Sequence, residues 1–193
     1  MLTLEEIRQQ LANRPPLLVE GPDRHAAVAL VLRQDAAVLQ MLIIRRAEHE
    51  CDPWSGDLAF PGGKVDPGDA DARAAAERET AEEIGLDLTL AEFLGQLDDL
   101  PGAFLPVRVS CFVYFLPCPA HFRLNHEVAD YQWLPLDRFH EQERHRKMAF
   151  PFRGRTTSQP VVDLIDAAPV LWGITHRLVT QFFERIEKPM PTP

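Results

Sequence analysis

The chain has 193 residues, of which 46% are hydrophobic, 25% charged and 8% aromatic, the balance of a globular domain that buries roughly 70% of its unfolded surface. That composition excludes disorder and a coiled coil, and no window reaches the ~18 uninterrupted apolar residues of a membrane helix. The net charge of −9 is concentrated: residues 62–99 carry eleven acids against three bases, which repels a nucleic-acid backbone and suits a site that gathers divalent cations.

One domain over residues 1–193 is the expectation for this length. Met1 to Gln10 lacks the basic stretch and apolar run of a secretory signal. Cys51, Cys111 and Cys118 form no CxxC pair. Reduced thiols in a cytoplasmic compartment fit that odd count.

In chain order, Leu4 to Ala12 places apolar residues at 4, 7 and 11, a short amphipathic helix ended by Pro15-Pro16. His25–Leu32 and Val38–Arg45 are β-rich runs separated by Arg33 to Ala37, a hairpin-like pair. Residues 51–68 read as loop, rich in proline and glycine and interrupted by Leu58-Ala59-Phe60. Asp69 stands where an N-cap belongs and Asp71 favours the first turn, so a helix is predicted over Ala70–Ile84 with Gly85 as its stop. Ala91–Leu97, Val107–Leu116 and Tyr131–Leu134 read as strands, and Leu171–Ile186 as a closing helix. Residues 140–160 are basic, with Arg144, His145, Arg146, Lys147, Arg153 and Arg155. Strands, helix, strands and helix in that order predict an α/β fold, a mixed β-sheet with helices packed on it.

The chemistry is concentrated on the middle helix. Glu79, Glu82 and Glu83 stand at i, i+3 and i+4, which makes them neighbours on one helix patch and costs a few tenths of a kcal/mol per like-charged pair. A bridging cation would offset that cost, since Mg²⁺ takes carboxylate and phosphate oxygens together. A solvated acidic face is the plainer alternative for three glutamates alone. The preceding Phe60-Pro61-Gly62-Gly63 turn allows close backbone approach and brings carbonyls near the same patch.

Gly63 through Leu86, with Arg78-Glu79-Thr80-Ala81-Glu82-Glu83-Ile84-Gly85-Leu86 as its second half, resembles the Nudix box. The resemblance implies a Nudix-type α/β/α sandwich with a mixed sheet. It also implies an enzyme that cleaves the diphosphate of a nucleoside diphosphate derivative with Mg²⁺ or Mn²⁺. Glu79, Glu82, Glu83 and the Gly63 carbonyl would bind the metal, Arg78 would orient the carboxylates, and Glu82 or Glu127 would be the general base. The usual loop acid falls on Ala70, so Asp69 or Asp66 would take its bracing role.

Asn125-His126-Glu127-Val128, Trp133-Leu134-Pro135-Leu136 and Leu171-Trp172-Gly173-Ile174-Thr175 resemble the coenzyme A pyrophosphatase branch of that family. Asp52 stands where that branch has an arginine. The resemblance implies coenzyme A or an acyl-coenzyme A as substrate, with ADP-ribose or a nucleotide sugar as the alternative. A non-catalytic nucleotide-binding module is the alternative of another class. Substrate-binding candidates are Arg45, Arg46, Trp54 as a surface for a base, and Arg153 within the basic segment 144–155; packing and solvation remain open for the last two. The expected partner is a small nucleotide-diphosphate, with no nucleic acid and no membrane, and a homodimer stays open.

Overall fold

The computed structural model describes residues 2–20, 24–49, 55–102, 106–152, 155–166 and 168–193. The first helix, α1 (Leu4–Ala12), has a capping box: Thr3 accepts from Glu6 N–H while the Glu6 carboxylate accepts from Thr3 N–H. Strands β1 (Arg24–Asp35) and β2 (Val38–Arg46) form a hairpin with Asp35 opposite Val38. The predicted five-residue connection is thus a two-residue turn, with Ala36 in the left-handed region at φ 53°.

The stretch expected to be loop after residue 51 holds two short strands. β3 (Leu58–Ala59) pairs with the end of β2, and β4 (Gly62–Lys64) pairs with the start of β1. They fill the gap where β1 and β2 diverge. β1 then runs parallel to β7 (Val107–Leu116) along its length, with Val28 opposite Cys111. β5 (Glu92–Gln96) and β6 (Leu100–Pro101) lie antiparallel on the far side of β7. β8 (Val128–Pro135) lies antiparallel on β2. One parallel pairing among antiparallel ones makes the sheet mixed.

Side-chain alternation divides this sheet into two buried faces. Leu30 and Leu32 of β1 and Met41 and Ile43 of β2 join Ile7 and Leu11 of α1 and the C-terminal helix α3 (Gly173–Arg185). Ala29 and Val31 of β1 and Leu42 and Ile44 of β2 join Ala75, Ala76 and Ile84 of the middle helix α2 (Ala72–Ile84). The result is an α/β/α sandwich.

Three expectations need correction. Asp69 is not the N-cap of α2: Asp71 accepts from Ala74 N–H at 2.8 Å, because Asp69 is drawn to Arg78 instead. The closing helix begins later than Leu171, whose backbone pairs with Val162. The basic segment forms a ribbon, β9 (His145–Phe152) with β10 (Arg155–Val162), separate from the main sheet.

Candidate active site

α2 carries the acidic patch because alanines at 75 and 76 and Ile84 bury one stripe against β1 and β2, leaving Arg78, Glu79 and Glu82 toward the β4 side and its surroundings. Its C-terminus stops at Gly85, left-handed at φ 69°. There the 123–125 segment takes over the last carbonyls: Arg123 N–H donates to Ile84 O and Asn125 N–H to Glu83 O, both at 2.8 Å.

Arg78 is the hub. Its Nε and Nη2 bind the two oxygens of Asp69 at 2.9 and 3.0 Å, a bidentate pair. Nη2 also donates to Lys64 O at 3.1 Å, and Nη1 donates to Glu79 at 2.8 Å and Glu82 at 3.2 Å. Asp66 stands farther off, 3.9 Å from Nη2. The guanidinium beside it holds the Asp69 carboxyl at about 2, below its ordinary value. The same carboxylates raise the guanidinium further.

Glu83 is the reverse case. It is 2% exposed, and the hydrogen bond to its carboxylate comes from Gly62 N–H at 2.8 Å. Burial pushes the carboxyl up to about 7; Gly62 and the charge of Arg46 oppose the rise, while Glu127 and Glu79 add to it. Glu79 is also raised, by burial first and against Arg78, with Glu82 and Glu127 contributing. The structure therefore brings Glu79, Glu82, Glu83 and Glu127 into one electrostatic field, although Glu127 lies 44 residues beyond Glu83 in the chain. Glu127 is exposed; its backbone is fixed by Ala47 N–H donating to its carbonyl and by Asn125 Oδ1 accepting from its N–H.

Gly63 sits opposite Ala27 in the β1–β4 ladder. A Cβ there would stand 2.5 Å from Glu79 Cδ, so only glycine leaves space for that carboxylate. A side chain at Gly62 would strike Ala27 O at 2.3 Å. This pair of glycines is what lets α2 press its acids against β4.

Among the described residues, no three His, Cys, Asp or Glu side chains are gathered closely enough to ligate an ion as they stand; Arg78 Nη1 bridges two of the acids instead. The donor set nevertheless fits a hard divalent cation. It is all oxygen, and burial and acidic neighbours raise the Glu83 carboxyl even against the charge of Arg46, an excess of negative charge that such an ion would offset.

The other predicted site residues fall elsewhere. Arg46 reaches the field of Glu83, but Arg45 lines a cavity on the other side of β2. Arg144 and Arg146 are taken up by Glu141 and Asp163 at the base of the β9–β10 ribbon. Trp54, Arg153 and the Asp52 departure lie outside the described residues. Asn125, which ties the Glu127 segment to α2, was visible in sequence only as part of a short resemblance.

Residues 23–153 match the NUDIX domain, a span that includes both the acidic helix and Glu127. This chain belongs to the Nudix family. Among curated Nudix relatives, an uncharacterized Nudix hydrolase, NudL, of Yersinia enterocolitica is 27% identical over 195 residues, covering 95% of this chain and 93% of that one. An uncharacterized Schizosaccharomyces pombe protein is 34% identical over 146 residues, covering 63% of this chain; the match spans only 44% of the yeast protein. Among Nudix-fold structures, the binary complex of a C. elegans Ap4A hydrolase is similar at 25% identity and a TM-score of 0.50, covering 59% of this chain and 81% of that one.

Proposed function

We propose that this Nudix chain hydrolyses the diphosphate linkage of a nucleoside diphosphate derivative with Mg²⁺ or Mn²⁺, and that coenzyme A or an acyl-coenzyme A is its foremost substrate. The observation that carries the hydrolytic reading is Glu83: a carboxylate buried beside Glu79 and Glu127, its carboxyl pushed up despite Gly62 N–H and the charge of Arg46, is costly in a fold that uses it only for packing. Glu79, Glu82, Glu83 and the Gly63 carbonyl would hold the cation. When bound, such an ion neutralises phosphoryl charge and lowers the pKa of water.

The chain's own residues supply the rest. Arg78, braced by Asp69 and Lys64 O, positions Glu79 and Glu82. Glu127 is our choice of general base: its carboxylate makes no hydrogen bond or ion pair among the described residues, whereas Glu82 already accepts from Arg78. Coenzyme A is supported by the 125–128, 133–136 and 171–175 resemblances. The first of these abuts the acidic cluster through Asn125 and Glu83. ADP-ribose or a nucleotide sugar is the second reading, favoured by Asp52, and a dinucleoside polyphosphate is suggested by the C. elegans likeness.

The test is hydrolysis of coenzyme A, ADP-ribose, Ap4A and a nucleotide sugar with Mg²⁺, with Mn²⁺ and with chelator. We expect metal-dependent release of 4′-phosphopantetheine and 3′,5′-ADP from coenzyme A as the fastest reaction. Glu83→Gln should abolish turnover, and Glu127→Gln should lower kcat by about 10²- to 10⁴-fold at little change in KM. No turnover of any compound would overturn the reading in favour of a nucleotide-binding module.

A further inference from the structure

β7 and β8 are joined by residues 117–127, a connection without helix or strand of its own that carries Glu127 at its end. Left free, a connection of that length would scatter a side chain over many positions. On one side two backbone bonds prevent this, Arg123 N–H on Ile84 O and Asn125 N–H on Glu83 O, both at 2.8 Å. They are possible because α2 stops on a glycine: a Cβ at Gly85 would stand 3.1 Å from Arg123 Cβ and 3.3 Å from its backbone nitrogen. On the other side Ala47 N–H, just beyond β2, donates to Glu127 O at 2.7 Å, and Val128 pairs with Arg46.

Between these two anchorages the turn is closed by a side chain. Asn125 Oδ1 accepts from Glu127 N–H at 2.8 Å, the two-residue reach by which an asparagine stands in for a backbone turn. Asn125 is half-buried, while Arg123, Leu124, His126 and Glu127 around it are exposed. This one residue therefore makes two bonds of different kinds. Its backbone N–H holds the carbonyl of Glu83, the buried acid of the cluster, and its side chain holds the amide of Glu127. Any residue except proline supplies the first bond, whereas the second needs a short side chain with an acceptor. The Glu127 carboxylate makes no bond of its own among the described residues, so its backbone sets where it starts relative to Glu83.

The rate of a proton transfer is steep in that placement: a displacement of about 1 Å costs on the order of 10²-fold. We infer that Asn125 is a positioning residue of the hydrolysis, whose side chain fixes the backbone of Glu127 at a set distance from the buried Glu83. The inference rests on the hydrolase reading and on Glu127 as its general base. A turn-former that only assists folding would lower stability, and would act alike whatever stands at position 127. A positioning residue acts through the Glu127 carboxylate alone, and that difference is measurable.

The experiment is steady-state hydrolysis by the whole chain with Mg²⁺, on whichever of coenzyme A, ADP-ribose, Ap4A and a nucleotide sugar is cut fastest. We expect Asn125→Ala to lower kcat about ten- to a hundredfold with KM within about twofold. Asn125→Asp keeps the acceptor and should return kcat to within about threefold of the unaltered chain. With Glu127→Gln already present, Asn125→Ala should cost less than about twofold, because the group it places is gone. The bond to Glu83 O is made by backbone and survives in each variant, so the thermal midpoint should stay within about 4 °C. Unchanged kcat in Asn125→Ala overturns the inference and leaves the hydrolase reading standing. So does an equal loss in the presence and absence of Glu127→Gln. Near-full activity of Glu127→Gln overturns the choice of base and this inference with it, and no turnover of any of the four compounds overturns the hydrolase reading and the inference together.

Discussion

The acids on and just before α2 illustrate how position, more than residue type, decides ionisation. Asp69 and Glu83 lie at opposite extremes because one faces a bidentate guanidinium and the other a single N–H in a buried setting. For Glu83 the folded carboxyl sits above its ordinary value, so the folded state binds more protons than the unfolded chain between about pH 4.5 and 7. Its contribution to stability therefore declines as pH rises through that window. We expect Glu83→Gln, measured by urea unfolding at pH 8 without metal, to be more stable than the unaltered chain by about 2 kcal/mol while being inactive. Gly63→Ala separates space from charge. The new methyl must displace the Glu79 carboxylate, so affinity for Mn²⁺ by titration should fall at least tenfold with little loss of stability. A Gly62→Ala change meets backbone at β1 and should prevent folding.

At the level of elements, α3 holds a second buried pair with no role in the acidic cluster. His145, at the start of β9, donates from Nε2 to Phe139 O, and His176 of α3 is buried close enough to feel its charge. Burial first, and His145 second, push His176 down to about 4. The unfolded chain protonates this ring near pH 6.5 while the folded chain resists, so stability is lost as pH falls from about 6.5 toward 4. His176→Gln should flatten that acid limb in a series of unfolding curves, and an unchanged limb would show that other groups set it. Helix α1 was legible in sequence from its apolar spacing, α2 from its dense helix formers and the Gly85 stop, and the long strands from their β-rich runs. The N-terminus of α2 was misplaced by two residues because Asp69 and Asp71 are equally good caps locally. Arg78, nine residues away, settled the matter. Ribbon β9–β10 was missed because Pro151 and Pro160 and its basic residues mask alternation, a pattern that only an edge or isolated pair tolerates.

For the whole molecule, the spacing of the box already held Glu79, Glu82, Glu83 and Arg78, since those positions share a helix face by local geometry. The contacts that turn a motif into a site are tertiary, and the sequence showed the segments that make them without the atoms that bond. Gly62 N–H on Glu83 and Asn125 N–H on the Glu83 carbonyl each join segments at least 21 residues apart. The β9–β10 ribbon has a further consequence. At its base His145, Val161 and Val162 are buried against the core, while beyond it the two strands bond mainly to each other and meet the rest through the stacked rings of Phe150 and Trp172 and Arg146 on Asp163. Two-stranded pairs are marginal by themselves, so this ribbon forms a cooperative unit that opens without unfolding β1 or β7. Hydrogen exchange should show the cross-strand amides of 147–150 and 156–159 exchanging orders of magnitude before those of Val28–Val31. Trp172→Ala should accelerate only the first group, turning one lost ring stack into a local melting event while the slowest amides keep their rates.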